Sequence, residues 1–156
     1  MATVQLDRLD RAILHHLQLQ ADLTNAELAD RVGLSANACW RRIKRLEDDG
    51  VIAARVALLD RQALNLPVTV FVSVRTTEHN ERWLEQFARG VSAVPEVMEF
   101  YRLSGDTDYL LKVVVRDIAD YDRVYKTLIA LAPLSDVSSS FAMECIKSTT
   151  ALPLPG

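Results

Sequence analysis

Between Leu23 and Leu46 the chain carries two helix starts separated by a single glycine, and that spacing constrains the fold more than any other feature. Thr24 and Glu27 form a capping box: the hydroxyl accepts from the amide three residues on, and the carboxylate reaches back to the threonine amide. Leu28 and Val32 give this helix its buried face. Gly33 suits the left-handed residue that closes a helix, and Ser35 caps the next helix two residues later. Helices joined by so short a turn must cross steeply, which is the helix-turn-helix arrangement. An earlier helix is read from Asp7 as its cap and from the stripe Leu9, Ile13, Leu14 and Leu17.

The second helix of the pair, in "LSANACWRRIKRLEDDGVI", is basic although the whole chain has net charge −3. At about 100° per residue, Ala36, Cys39, Ile43 and Leu46 share one face and are expected in the core. Asn37, Arg41, Lys44 and Arg45 point away, with Trp40 and Arg42 at the borders. Lys44 and Arg45 have Asp48 and Asp49 four residues on, so local ion pairs account for them. Arg41 and Arg42 have no acid three or four residues away, and Arg41 and Arg45 repel at i,i+4. An outside partner is implied, and phosphates and guanine edges both accept the arginine fork. No Asp or Glu occurs from Arg31 to Leu46, whereas Glu47, Asp48 and Asp49 follow in a row. The start of this helix should therefore enter the major groove of double-stranded DNA. The expected contacts are Ser35, Asn37, Ala38, Arg41, Arg42, Lys44 and Arg45.

After Gly50, "VIAARVALLD" (Val51 to Asp60) reads as the strand of a wing and linker, which sets a domain boundary at Asp60. Residues 1–60 then form a winged helix-turn-helix domain and residues 61–156 a second domain. There, Val68, Val70, Val72 and Val74 alternate with Thr69, Phe71, Ser73 and Arg75, a period of two. Asn80 can cap a helix with the stripe Trp83, Phe87, Ala88 and Val91. "VMEFYRLS" and "YLLKVVV" are strands around the turn "GDTD". Asp117 or Asp120 opens a helix with Ile118, Tyr121, Val124, Tyr125, Leu128 and Leu131 inward. "VSSSFAMECIKS" is a last strand. The order βαββαβ is ferredoxin-like, an α+β fold with both helices on one face of an antiparallel sheet. Apolar residues on both sides of the strands imply a second subunit over the other face.

Other classes find little support. No apolar run approaches a membrane span, and Asp7 and Asp10 stand where a signal peptide would be basic and apolar. The two cysteines, Cys39 and Cys145, are expected as reduced cytosolic thiols, and the three histidines show no metal-ligand spacing. His79 has no evident acid or nucleophile partner, and the serines at 138 to 140 have no base, so neither an enzyme nor a cofactor is expected.

Together "LDRLDRAILHHLQ", "NAELADRVGLS", "CWRRIKRLEDDGVI", "ALLDRQALNL", "SGDTDYLLKV" and "MECIKSTTALPL", in this order, resemble the leucine- and asparagine-responsive transcription regulators, the Lrp/AsnC family, nearly end to end. The resemblance implies a cytoplasmic regulator of amino-acid metabolism. It also implies homodimers, often gathered four at a time into octamers, and a free amino acid bound between effector domains. The family's Gly-x-x-Asp turn matches Gly105, Asp106, Thr107 and Asp108. By composition alone this is simply a hairpin turn. The resemblance makes it an effector site, with an acid for the ammonium and turn amides for the carboxylate. A paired Thr-x-Thr on the family's last strand aligns with Val137 and Ser139, so one hydroxyl is missing. Leucine is the expected effector class. The chain also departs from relatives at Ala36–Asn37, where a proline is common. The alternative to an amino-acid-responsive regulator is an architectural protein that wraps DNA without sensing a metabolite.

Overall fold

The computed structural model describes residues 4–78 and 80–154, so His79 lies outside the described residues. The chain divides into two compact units. One runs to Leu58 and takes in the chain again from Lys147, and the other is Leu59–Ile146.

The first unit holds α1 (Arg8–Leu19), α2 (Asn25–Val32) and α3 (Ala36–Asp48). Each begins on the side chain expected to cap it: Asp7 accepts from the Asp10 amide, Thr24 from Glu27 and Ser35 from Ala38. Gly33 adopts φ +69°, the left-handed closure that a Cβ would strain, and its amide bonds back to α2. Ile13, Leu17, Leu28, Cys39, Ile43 and Leu46 meet in one core. Ala36, expected among them, is exposed, because it opens α3 before the helix turns onto its neighbours.

The segment Val51 to Asp60, expected as the wing strand, forms no strand, and residues 53–60 are exposed throughout. A strand needs a partner for its ladder of amides and carbonyls, and none pairs with this segment among the described residues. The end of the chain also departs from expectation. Residues from Lys147, assigned from sequence to the second domain, return to α1. The Gln18 side-chain amide donates to the Leu152 carbonyl at 3.0 Å and accepts from the Leu152 amide at 2.9 Å. Leu154 packs against the three-helix core.

The second unit runs β1 (Val68–Arg75), α4 (Glu81–Ser92), β2 (Val97–Arg102), β3 (Tyr109–Val115), α5 (Ile118–Ala130) and β4 (Asp136–Phe141). Its antiparallel sheet has the order β2-β3-β1-β4. Val70, Val72 and Val74 of β1, with Leu111 and Val113 of β3, share a core with Trp83, Phe87 and Val91 of α4 and Val124 and Leu128 of α5. The two helices thus cover one face. On the other face Phe71 lies opposite both Lys112 and Ser140, and Lys112 pairs with Glu99 at 2.7 Å. That face is mixed rather than apolar. Ile118 is 72 % exposed instead of inward, since at the first residue of α5 it lies beside the buried stripe rather than on it.

Candidate nucleic-acid interface and effector turn

The exposed face of α3 carries the expected cations, but their partners come from elsewhere in the fold. Arg42 reaches across to α1, where one guanidinium nitrogen meets Asp7 at 2.6 Å and Asp10 at 2.7 Å. Arg45 ignores Asp49 and bonds the other Asp10 oxygen at 2.5 Å. Only Lys44 uses its local acid, Asp48, at 2.8 Å. The absence of a local partner therefore does not leave Arg42 free. Its acids lie 32 and 35 residues earlier, beyond the reach of i,i+4 reasoning. Arg41 alone of the three arginines makes no ion pair or hydrogen bond among the described residues.

Asp10 is the group that sequence reasoning missed as part of this surface. Its side chain is 1 % exposed, and its carboxylate also accepts from the Asp7 amide. The available signal was that Asp10 sits on the first turn of α1 while Arg42 and Arg45 stand three apart on one helix. Asp7 stays exposed. The Asp10 amide, followed by the Arg42 guanidinium, holds the Asp7 carboxyl at about 2, against an ordinary 3.8. A shallow hollow opens here, lined by Asp7, Leu34, Ala38, Arg41, Arg42 and Arg45. Ser35 and Asn37 are exposed at the start of the helix, Ala38 is half-buried, and Trp40 is 58 % exposed at its border.

In the second unit, the hairpin between β2 and β3 holds Gly105, Asp106, Thr107 and Asp108. Gly105 adopts φ +120°, open to glycine but strained for other residues. Asp106 is exposed, and Thr107 and Asp108 are half-buried. One Asp108 oxygen accepts from the buried Thr76 amide at 2.9 Å, while the Asp108 amide donates to Val74 and its carbonyl accepts from Leu103. Asp108 thus ties the hairpin to the end of β1. Ser139 is not brought to the turn. It lies opposite Val72 on β4, two strand spacings from β3, or roughly 10 Å. Its hydroxyl bonds that of Tyr121 on α5. A small cleft borders the hairpin instead, lined by Asn80, Glu81, Leu84, Arg102 and Tyr109. Neither Glu81 nor Arg102 has an ion-pair partner among the described residues.

Comparison with known proteins matches both units. Residues 6–53 match a family described as winged helix-turn-helix DNA-binding, and residues 69–152 match the Lrp/AsnC ligand binding domain. A glutamate uptake regulatory protein of Zymomonas mobilis is 55 % identical over 97 % of this chain and 92 % of its own length. The DNA-binding transcriptional activator DecR of Escherichia coli is 47 % identical over 96 % of this chain and 99 % of its own. Among solved structures, an AsnC family transcriptional regulator from Agrobacterium tumefaciens superposes with a TM-score of 0.92 at 59 % identity, covering 95 % of this chain and 97 % of the other. A transcriptional regulator from Neisseria meningitidis, solved as its complex with L-Met, has a TM-score of 0.91 at 39 % identity, covering 96 % and 97 %.

Proposed function

Because the chain belongs to the Lrp/AsnC family of DNA-binding transcriptional regulators, we propose that it couples DNA binding by α3 to a free amino acid held at the Gly105–Asp108 hairpin. The family acts by binding DNA rather than by catalysis. The observation that carries the DNA half is Arg41, an unpaired guanidinium on the exposed face of a capped second helix. The ligand half rests on the match of residues 69–152 to a ligand-binding family and on the L-Met complex of the Neisseria meningitidis relative. An apolar amino acid, leucine or methionine, fits the chemistry of the cleft beside the hairpin: Arg102 for the carboxylate, Glu81 for the ammonium and Leu84 for the side chain, with the exposed Asp106 of the hairpin itself as a second acid for the ammonium. Ser139 drops from this reading, since its hydroxyl serves Tyr121.

A second copy of the chain completes the proposal. Phe71 and Tyr101 are 38 % and 50 % exposed on the open sheet face, and Val56, Leu58 and Leu59 lie 69–71 % exposed on the unpaired segment after α3. Dimers, and octamers built from them, would cover such surface and place two reading helices on one operator. A protein that acts on DNA would work in the cytoplasm.

The test selects bound fragments from a random duplex pool with and without each amino acid, and follows the melting temperature in parallel. A ligand that binds the folded state raises the melting temperature. If it also prefers one assembly state, the selected sequences or their affinity change. An amino acid that does both supports the reading. If none of the twenty moves either readout at millimolar concentration, architectural DNA wrapping takes its place.

A further inference from the structure

The paired arginines of α3 and the buried carboxylate beneath them form one device. Arg42 and Arg45 are one turn apart on α3, and each takes a different oxygen of Asp10. The Asp10 side chain is 1 % exposed, whereas the side chains of Arg42 and Arg45 are 27 % and 47 % exposed and both line the hollow. Arg42 has a second acid, Asp7, which is 52 % exposed and meets Arg42 through one oxygen while its other oxygen caps α1. Free arginine side chains lose much rotamer freedom on binding, so two that are held in advance by a buried acid meet an anion with less to lose.

We propose that Asp10 is a positioning residue for DNA binding: it presents Arg42 and Arg45 as a fixed pair to one backbone phosphate, which enters the hollow and displaces Asp7 from Arg42. The inference rests on the reading that α3 faces DNA. In this arrangement Arg41, which also lines the hollow, stays free for a base edge or a second phosphate. Asp7 acts as a stand-in anion that occupies Arg42 until phosphate arrives. Phosphate contacts fix the register of a head on the duplex. A fixed pair therefore serves the specific complex most, while loose non-specific binding responds mainly to total charge.

The experiment titrates the full chain against a duplex selected by the protein itself and against random duplex, at several salt concentrations. The variants are Asp10→Asn, Asp7→Asn and Arg41→Ala. Asp10→Asn keeps the shape but loses the charge. Operator affinity should fall about tenfold as register is lost, while random-duplex affinity holds or rises because the head has shed a negative charge. A purely structural role would lower both together, and that result, or an unchanged ratio, overturns the proposal. Asp7→Asn keeps the cap on α1, since its amide oxygen can still accept from the Asp10 amide, but removes the competing charge, and should tighten both duplexes about twofold to fivefold, the range of an exposed ion pair. Unchanged affinities for Asp7→Asn overturn the exchange even if Asp10→Asn does not fold. Arg41→Ala separates the levels: if it too leaves operator binding intact, α3 is not the reading helix. If it weakens binding while both aspartate variants are silent, only the clamp is lost.

Discussion

Three arginines within five residues of α3 have three different fates, and their environments explain why. Arg42 and Arg45 are drawn to Asp10, and Arg41 is exposed and left with solvent. Arg41→Ala should weaken operator binding by about 1–3 kcal/mol if the side chain reads a base edge, with much less effect on random DNA. Gel-shift titrations on both duplexes at one salt concentration distinguish this from a phosphate contact, which would weaken all sequences alike. In the second unit Asp120 is the corresponding buried acid. It accepts from Arg123, from Arg116 and from the Arg116 amide, and these bonds hold its carboxyl at about 2 rather than 3.8. Folding thus favours the ionised form, so the stabilisation is complete above the unfolded value of 3.8 and is lost as pH falls toward 2. The gap in urea midpoint between wild type and Asp120→Asn should be widest above pH 4 and close on acidification. A gap independent of pH would show that the carboxylate charge is not what matters.

Among the elements, the least regular segment ties the chain ends together. The segment from Lys147 belongs to no strand, yet Leu152 exchanges two hydrogen bonds with the Gln18 side chain and Leu154 reaches the core of α1 to α3. A chain ending at Ser148 should therefore lose both bonds and that apolar contact. Two net hydrogen bonds at about 1 kcal/mol each give the scale of the destabilisation. Hydrogen exchange along α1 should speed up, while β1 and β3 keep their protection. Equal protection of α1 with and without the tail would mean the docking contributes nothing to the folded state. The hairpin calls for similar care. Asp108 holds the Thr76 amide, so Asp108→Ala tests the turn as much as the ligand site. Asp106 is exposed and makes no such bond, which makes Asp106→Ala the cleaner probe of amino-acid binding.

On the scale of the whole molecule, the DNA-binding unit takes in the chain both before Leu58 and again from Lys147, so the chain crosses between units twice, after Leu58 and after Ile146. A dimer would present two copies of α3, and its operator should be roughly palindromic with half-sites spaced by whole helical turns. Light scattering should find a dimer or a larger assembly at micromolar concentration. A stable monomer would remove the reason for the exposed Val56, Leu58 and Leu59.

By itself the sequence determined every helix, the presence and order of the four strands of the second unit, and the caps Asp7, Thr24, Ser35 and Asn80; it left Asp117 and Asp120 as alternatives for α5 and ran the last strand to Ser148, where the structure caps α5 with Asp117 and ends β4 at Phe141. The features it determined are set by local chemistry: a side chain bonding an amide three residues away, a glycine at positive φ, an apolar period of two or near four. It also located the basic face of α3, since helical spacing alone fixes which residues point outward. Contacts between residues distant in the chain were decided only by the tertiary structure. Whether Arg42 is free depends on Asp7 and Asp10 of another helix, and where Ser139 points depends on Tyr121. Whether residues 53–60 form a strand depends on a partner absent from their own neighbourhood. Periodicity reports what a segment can present, but a hydrogen bond or ion pair needs two groups within about 3 Å of each other, and only the folded chain brings such groups together.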